Sequence, residues 1–261
     1  MDLFNLHNKR AMITGGTHGL GMAIAEGLAS AGAELIITGT TPSKMEEAIA
    51  YYQSKGYKAT GYLFDVTDEK IAAEKMNLIA KELGDIHILV NNAGIIKREL
   101  AITMPVSDFR KVIDVDLVGP FIMSQLVAKQ MIERREGKII NICSMMSELG
   151  RNSVSAYAAA KGGLKMLTQN LATEWAKYNV QVNGIGPGYF ATTQTEPIRV
   201  DGHPFNDFII NRTPAARWGN PEDLAGAAVF LASKASDFVN GQVVYVDGGI
   251  LATIGKPANE E

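Results

Sequence analysis

The amino-acid sequence predicts a doubly wound α/β fold, a mostly parallel sheet of about seven strands with helices on both faces. Three observations lead there. Short apolar runs alternate with longer helical stretches from one end of the chain to the other. The first run ends in a glycine-rich turn that opens straight into a helix, Thr14-Gly15-Gly16-Thr17-His18-Gly19-Leu20-Gly21. Several later runs end in small polar residues, at the carboxyl ends where ligands gather in such sheets.

Residues 11–14 form the first strand, and residues 22–29 carry the helix beyond the turn. A helix start aims free N–H groups and the positive end of its dipole at an anion, and glycine lets a pyrophosphate approach the main chain. Gly15, Thr17, His18, Gly19, Leu20 and Gly21 are therefore candidate dinucleotide contacts. The second strand, 34–38, ends in Gly39-Thr40-Thr41-Pro42-Ser43-Lys44. No acidic residue stands there to take the adenosine ribose hydroxyls and repel a 2′-phosphate. Thr40 and Thr41 offer hydroxyls and Lys44 or His18 positive charge, so the pattern favours NADP(H) and leaves NAD(H) open. Thr-Thr-Pro-Ser also fits a capped helix start.

The third strand, 59–64, delivers Asp65 and Val66 to the cleft, with Asp65 facing the adenine and Asp68 capping a helix that runs to about residue 83. The fourth, 86–90, ends in Asn91-Asn92-Ala93-Gly94 and is expected beside the first. A long helical region spans about 107–134, and the fifth strand, 138–143, leads directly to Ser144. The sixth, 180–185, ends in Gly186-Pro187-Gly188-Tyr189. Residues 189 to about 217 show no clear period and contain Pro197, Gly202, Pro204 and Pro214. An irregular stretch that long inside a compact domain reads as a lid over the substrate. Pro221 opens a helix to about residue 232, and 242–246 is the last strand. No repeat, linker or low-complexity tract divides the chain, so residues 1–261 read as one domain.

Tyr157 and Lys161 lie four apart in an alanine-rich helical run, which brings both side chains to one face about 5–6 Å apart. A phenol titrates near about 10 in water, and a cation a few ångströms away in a partly dry site favours the phenolate, the form a general base needs. Ser144, at the end of its strand, is placed to hold a substrate oxygen. A Tyr and Lys at this spacing also fit a solvated helix face, and the cleft motifs decide for chemistry.

Composition agrees with a globular enzyme: 46% hydrophobic, 20% charged and 26 glycines in 261 residues. The net charge of −3 gives no case for nucleic acid. The single cysteine, Cys143, allows no intrachain disulfide and reads as a small buried hydrophobe in a reducing, cytoplasmic setting. The start, 1–10, lacks a charged head followed by an apolar core, and no apolar run reaches the roughly 18–20 residues of a membrane span. The four histidines, His7, His18, His87 and His203, have no metal-ligand spacing, so no metal site is expected.

In this order the motifs resemble those of the short-chain dehydrogenase/reductase family over essentially the whole chain. The resemblance implies a Rossmann-type fold with the cofactor held by the 14–21 turn, by Asp65 and Val66, by Asn92, Ala93 and Gly94, by Tyr157 and Lys161, and by Pro187, Gly188 and Thr192. It also implies catalysis by Ser144, Tyr157 and Lys161, and a homotetramer. The family usually places an Asn in the helix before the Ser strand, part of a water relay to the Lys, and Asp116 occupies that place here. Ionised, it accepts hydrogen bonds but cannot donate them, and its charge holds the Lys protonated.

Within the family, segments 141–151, 213–219 and 245–256 are similar to gluconate 5-dehydrogenases. This implies NAD(P)-dependent interconversion of D-gluconate and 5-dehydro-D-gluconate, with Ser144, Met146, Tyr157 and Tyr189 facing a small sugar-acid substrate. Arg98 and Arg151 are candidates for its carboxylate. Glu148 and Asp116 are candidates for its hydroxyls or for a shared divalent cation. The alternatives are a deoxy-sugar-acid dehydrogenase, a reductase of 3-oxoacyl groups on an acidic carrier met by Lys129, Arg134, Arg135 and Lys138, or a nucleotide-binding regulator without turnover.

Overall fold

The structure, a computed structural model, describes residues 2–255. Met1 and residues 256–261 lie outside the described residues, including Lys256 at the end of the last matched segment. Seven strands, β1 (Arg10–Thr14), β2 (Glu34–Gly39), β3 (Ala59–Leu63), β4 (Ile88–Asn91), β5 (Gly137–Ile142), β6 (Val180–Pro187) and β7 (Val243–Val246), form one sheet in the order β3-β2-β1-β4-β5-β6-β7. Every pairing is parallel, where the sequence suggested mostly parallel. Parallel neighbours need a long crossover, and each connection here is long enough to supply one.

The crossovers carry α1 (Gly19–Ser30), α2 (Pro42–Ser54), α3 (Glu69–Glu82), α4 (Val106–Ile113), α5 (Gly119–Arg134), α6 (Ser155–Trp175), α7 (Pro204–Arg212) and α8 (Ala225–Ala232). Successive strand side chains point to opposite faces. Ile13, Leu35 and Ile37 therefore meet Ile24 and Leu28 of α1, Tyr52 of α2 and Leu231 of α8 on one side. Met12, Ile36 and Leu89 meet Ile79 of α3, Val127 of α5 and Leu171 of α6 on the other.

Two segments differ from the sequence reading. The helical run over 107–134 is broken by a π turn, Asp114–Val118. Pro120 has no N–H to give the carbonyl four residues back, that of Asp116, and the regular helix yields there. The irregular stretch 189–217 contains a 3-10 turn, Thr193–Ile198, and the helix α7. Pro204 reads as a breaker but sits at the first helical position, where a missing N–H costs nothing. Asp68 caps α3 as expected, accepting from Ile71 N at 3.0 Å.

The order of strands reverses between β1 and β4, the crevice where doubly wound sheets bind ligands. A buried polar chain fixes the strands beside it. Asn91 Nδ2 donates to Asn141 Oδ1 at 2.8 Å and to Ser124 Oγ at 2.9 Å, and Asn141 Nδ2 donates to Thr168 Oγ1 at 2.9 Å. This chain ties β4, α5, β5 and α6 together, and all four side chains are buried. Asn141→Ala is expected to destabilise the fold by about 1–3 kcal/mol, because it strips buried partners from Asn91 and Thr168. Equilibrium urea unfolding checks this.

Candidate active site

The turn after β1 has the geometry of an anion cradle. At the start of α1, His18 makes no side-chain cap bond and no acidic residue stands in the first turn, so the free N–H groups remain for a ligand. Gly19 has φ +59° and nothing within 4 Å of where a Cβ would stand, whereas a Cβ on Gly21 would lie 2.5 Å from Gly15 O. The first glycine leaves the cradle open, and the second lets α1 close on the turn. Thr14 Oγ1 accepts from Asn92 N and Ala93 N, both at 3.0 Å, and Asn92 Nδ2 donates to Thr14 O at 2.9 Å. These bonds join the β1 and β4 ends into one floor. Tyr52, which the sequence reading did not single out, donates to Gly16 O at 2.6 Å from inside the core. Burial holds its hydroxyl above the ordinary phenol pKa, so it remains a donor.

Thr40 is exposed just after β2 and Lys44 is exposed in the first turn of α2, and Thr17 Oγ1 lies 3.0 Å from His18 Nδ1. Burial, then the Lys44 ammonium, lowers the His18 pKa, so His18 is neutral near pH 7 and Lys44 supplies the charge expected of either. Asp65 sits exposed after β3, accepting from Thr67, and Val66 is buried beside it.

The catalytic candidates gather where β5 ends and α6 begins. Lys161 is 4% exposed and Asp116 0%. Lys161 Nζ donates to Ile142 O at 2.8 Å, stands 3.3 Å from Asp116 Oδ2 and lies 5.6 Å from the Tyr157 ring centroid. Asp116 Oδ1 accepts from Ile95 N at 2.7 Å. A Cβ on Gly94 would come 2.9 Å from Asp116 Oδ2, so only glycine lets the carboxylate tuck under that turn. Burial lowers the Lys161 pKa, and the opposing pull of Asp116, then Tyr157 and Cys143, more than offsets it; the ammonium is held above its usual value. Burial likewise pushes the Asp116 carboxyl up, against Lys161 and the Ile95 N–H.

Ser144 Oγ accepts from Met146 N at 3.1 Å, which leaves its hydrogen for another acceptor. Ser147, a second residue absent from the sequence reading, receives Ser144 N at 3.3 Å and donates to Lys161 O at 2.8 Å, so one hydroxyl sets the distance between strand end and helix. Its signal, a hydroxyl three residues after Ser144, is too common to stand out.

Tyr157 and Tyr189, two of the residues expected to face substrate, flank one apolar cluster of Met145, Met146, Val154 and Ile250. Arg151 donates to Tyr189 OH at 3.2 Å, and Glu99 N donates to Ser153 O at 2.9 Å, which brings the Arg98 and Arg151 loops together. Arg98 is exposed. Glu148 is committed elsewhere, accepting from Lys165 Nζ and, at 2.6 Å, from Tyr245 OH. Asp116, sealed behind Lys161, does not join it in an open carboxylate pair. Among the described residues no cluster of three or more His, Cys, Asp or Glu could hold a metal ion. Gly188 N donates to Val246 O at 3.0 Å, which fixes Pro187 and Gly188 beside the β7 end, and Thr192 caps the following 3-10 turn with Thr195. The basic patch is dispersed: Lys138 is buried against Asp237 at 2.8 Å, and Arg134 turns inward to the Ile86 carbonyl.

A family model described as Enoyl-(Acyl carrier protein) reductase matches residues 15–251. A 2-dehydro-3-deoxy-D-gluconate 5-dehydrogenase from Formosa agariphila is 68% identical over 262 residues, covering 100% of this chain and 99% of that one. The chain belongs to the short-chain dehydrogenase/reductase family. It is an oxidoreductase of that family, which uses NAD(P). A gluconate 5-dehydrogenase from Burkholderia cenocepacia, solved in complex with NADP and tartrate, superposes with TM-score 0.93 at 43% identity, covering 97% of this chain and 99% of that one. A 2-keto-3-deoxy-D-gluconate dehydrogenase from Streptococcus agalactiae gives TM-score 0.85 at 55% identity, covering 96% of each. No helix among the described residues is long and apolar enough to cross a membrane.

In this short-chain dehydrogenase/reductase the Asp116 carboxylate, 3.3 Å from Lys161 Nζ, opposes the effect of burial on that ammonium. Asp116→Asn keeps an acceptor for the Ile95 N–H but leaves the burial of Lys161 unopposed, so the ammonium loses its proton at lower pH. The alkaline limb of the pH profile of kcat/KM is expected to move to lower pH than in the wild type.

Proposed function

We propose that this protein is an NADP(H)-dependent dehydrogenase acting at the C5 hydroxyl of a six-carbon sugar acid. What supports the proposal is that Lys161 lies 5.6 Å from the Tyr157 ring centroid, is tied to Ser144 through Ser147, and pairs with Asp116 under Gly94, next to the Asn92 and Ala93 bonded to Thr14 where the glycine turn begins. The cradle fits a dinucleotide: uncapped N–H groups, an open left-handed glycine and no acidic side chain in the first turn. The bound cofactor would accept the hydride from the carbinol carbon in oxidation and return it in reduction.

The chain's own groups handle the proton and the positioning. Tyr157 takes the hydroxyl proton as the carbonyl forms. Lys161 stabilises the negative charge on the phenol oxygen, and its remaining N–H is available to the nicotinamide ribose. Ser144 donates to the substrate oxygen, because its own oxygen already receives the Met146 N–H. Thr40 and Lys44 favour a 2′-phosphate, Asp65 and Val66 flank the adenine, Asn92 to Gly94 floor the cleft, and Pro187, Gly188 and Thr192 border the nicotinamide. Residues 189–217 act as the lid, and the working form is a cytoplasmic homotetramer.

D-gluconate is the substrate read from the sequence, and the Burkholderia relative named for it supports that reading. A second reading, 2-dehydro-3-deoxy-D-gluconate, is favoured by the 68% and 55% identical proteins that carry that name. Both share the C5 carbinol and the carboxylate. Reduction of a carrier-bound 3-oxoacyl group loses support with the dispersal of its basic patch.

Two outcomes are expected. Tyr157→Phe should lower kcat by about 100-fold or more and weaken NADPH binding far less, since the proton step depends on the phenol while the cofactor keeps its other contacts; stopped-flow turnover and fluorescence titration of cofactor check this. Initial rates with D-gluconate, 2-dehydro-3-deoxy-D-gluconate and a 3-oxoacyl thioester, each with NADP and NAD in the appropriate redox form, should show turnover of a sugar acid and a preference for NADP(H). Thioester reduction without sugar-acid oxidation would refute the proposal.

A further inference from the structure

Arg151 stands where the connection from Ser144 enters α6, and its surroundings are unusual for a charged side chain. It is half-buried, yet it takes part in none of the ion pairs among the described residues. Its guanidinium carbon lies 4.4 Å from the centroid of the Phe205 ring and 5.9 Å from that of Tyr189. Its hydrogen bond to a side chain goes to Tyr189 OH at 3.2 Å, which uses one of the five N–H donors of a guanidinium.

Those two rings belong to the 189–217 segment, one at its start and one on its helix. Tyr189 directly follows Gly188, and Phe205 lies in the first turn of α7. Tyr189 packs edge-on against Phe205 and Trp218, each at 5.9 Å, and Trp218 Nε1 donates to Asn206 Oδ1 at 2.8 Å. The guanidinium therefore bridges the loop after Ser144 to both the start of the segment and its helix. Tyr189 shares its apolar seat with Tyr157, so this cation lies along the same wall as the reacting phenol.

A guanidinium stacked on an aromatic face keeps its planar fork rigid and presents free N–H groups at its edge, which suits bidentate capture of a carboxylate. We infer that Arg151 is the specificity-determining anchor for the substrate carboxylate, and that its seat on Phe205 makes the docking of α7 depend on that carboxylate. The inference rests on the sugar-acid reading above and adds a coupling to it. An acid fixes the guanidinium, the fixed guanidinium holds Phe205, and α7 settles over the cleft. A neutral polyol with the same carbinol leaves Arg151 free and α7 less held. Acid is thus selected over alcohol by closure as well as by contact.

The test compares the wild type with Arg151→Gln, Arg151→Lys and Phe205→Leu. Each is assayed with both sugar acids and with D-glucitol, in which the carboxylate is replaced by an alcohol, and hydrogen exchange of 204–212 is followed with NADP and sugar acid present. Arg151→Gln should reduce the kcat/KM preference for acid over D-glucitol by roughly 30- to 100-fold, mainly through KM for the acid. Arg151→Lys should recover only part of this, because a point charge lacks the fork. Phe205→Leu keeps the charge and removes the ring face, and should lower the preference about 5-fold and abolish the acid-induced protection of 204–212. Wild-type oxidation of either sugar acid is read first; its absence overturns the functional reading and this inference with it. Intact wild-type turnover with an unchanged preference ratio in Arg151→Gln, or with acid-induced protection retained in Phe205→Leu, overturns the inference alone.

Discussion

The structure turns on an ammonium group taken out of water. Lys161 lies inside the protein, where a bare charge would be several kcal/mol less stable than in solvent. It is tolerated because three different parts of the chain face it: a carbonyl at the end of β5, a carboxylate from the π turn before α5, and an aromatic ring one helical turn earlier on α6. None of these is near the others in sequence. The sheet order, the break in the long helix and the glycine at position 94 all serve to bring them to one point.

That point also explains why a carboxylate can replace the family's usual amide. An amide would leave the charge of Lys161 to be balanced by water or cofactor, whereas Asp116 balances it within the fold. In exchange, Asp116 is fully enclosed and anchored to the Ile95 N–H, so it has no surface left for substrate or metal.

The sheet and the cleft were legible in the sequence because their signals are local. A strand announces itself by a run of apolar residues, and the cradle by glycines between a strand and a helix. What stayed hidden depends on partners brought together through space. Tyr52 supports the cradle from another helix, Ser147 spans strand and helix, and Glu148 is claimed by Lys165 and Tyr245 from two further elements. The π turn lay between these cases: Pro120 was visible, but the consequence for Asp116 depended on an inward-facing position. Proline also misled at 204, where it starts a helix instead of ending one.

The position of β1 bears on how such a chain reaches this state. Its neighbour β2 follows soon after it, but its other neighbour, β4, arrives only after α2, β3 and α3 have been made. Until then an apolar strand destined for the centre of the sheet has one open hydrogen-bonding edge, the condition that invites pairing with another nascent chain. The bonds from Thr14 to Asn92 and Ala93 form when that edge closes. The floor of the nucleotide cradle and the end of this vulnerable interval are therefore one event, and a bound nucleotide, by favouring the closed state, would draw the maturing chain through it.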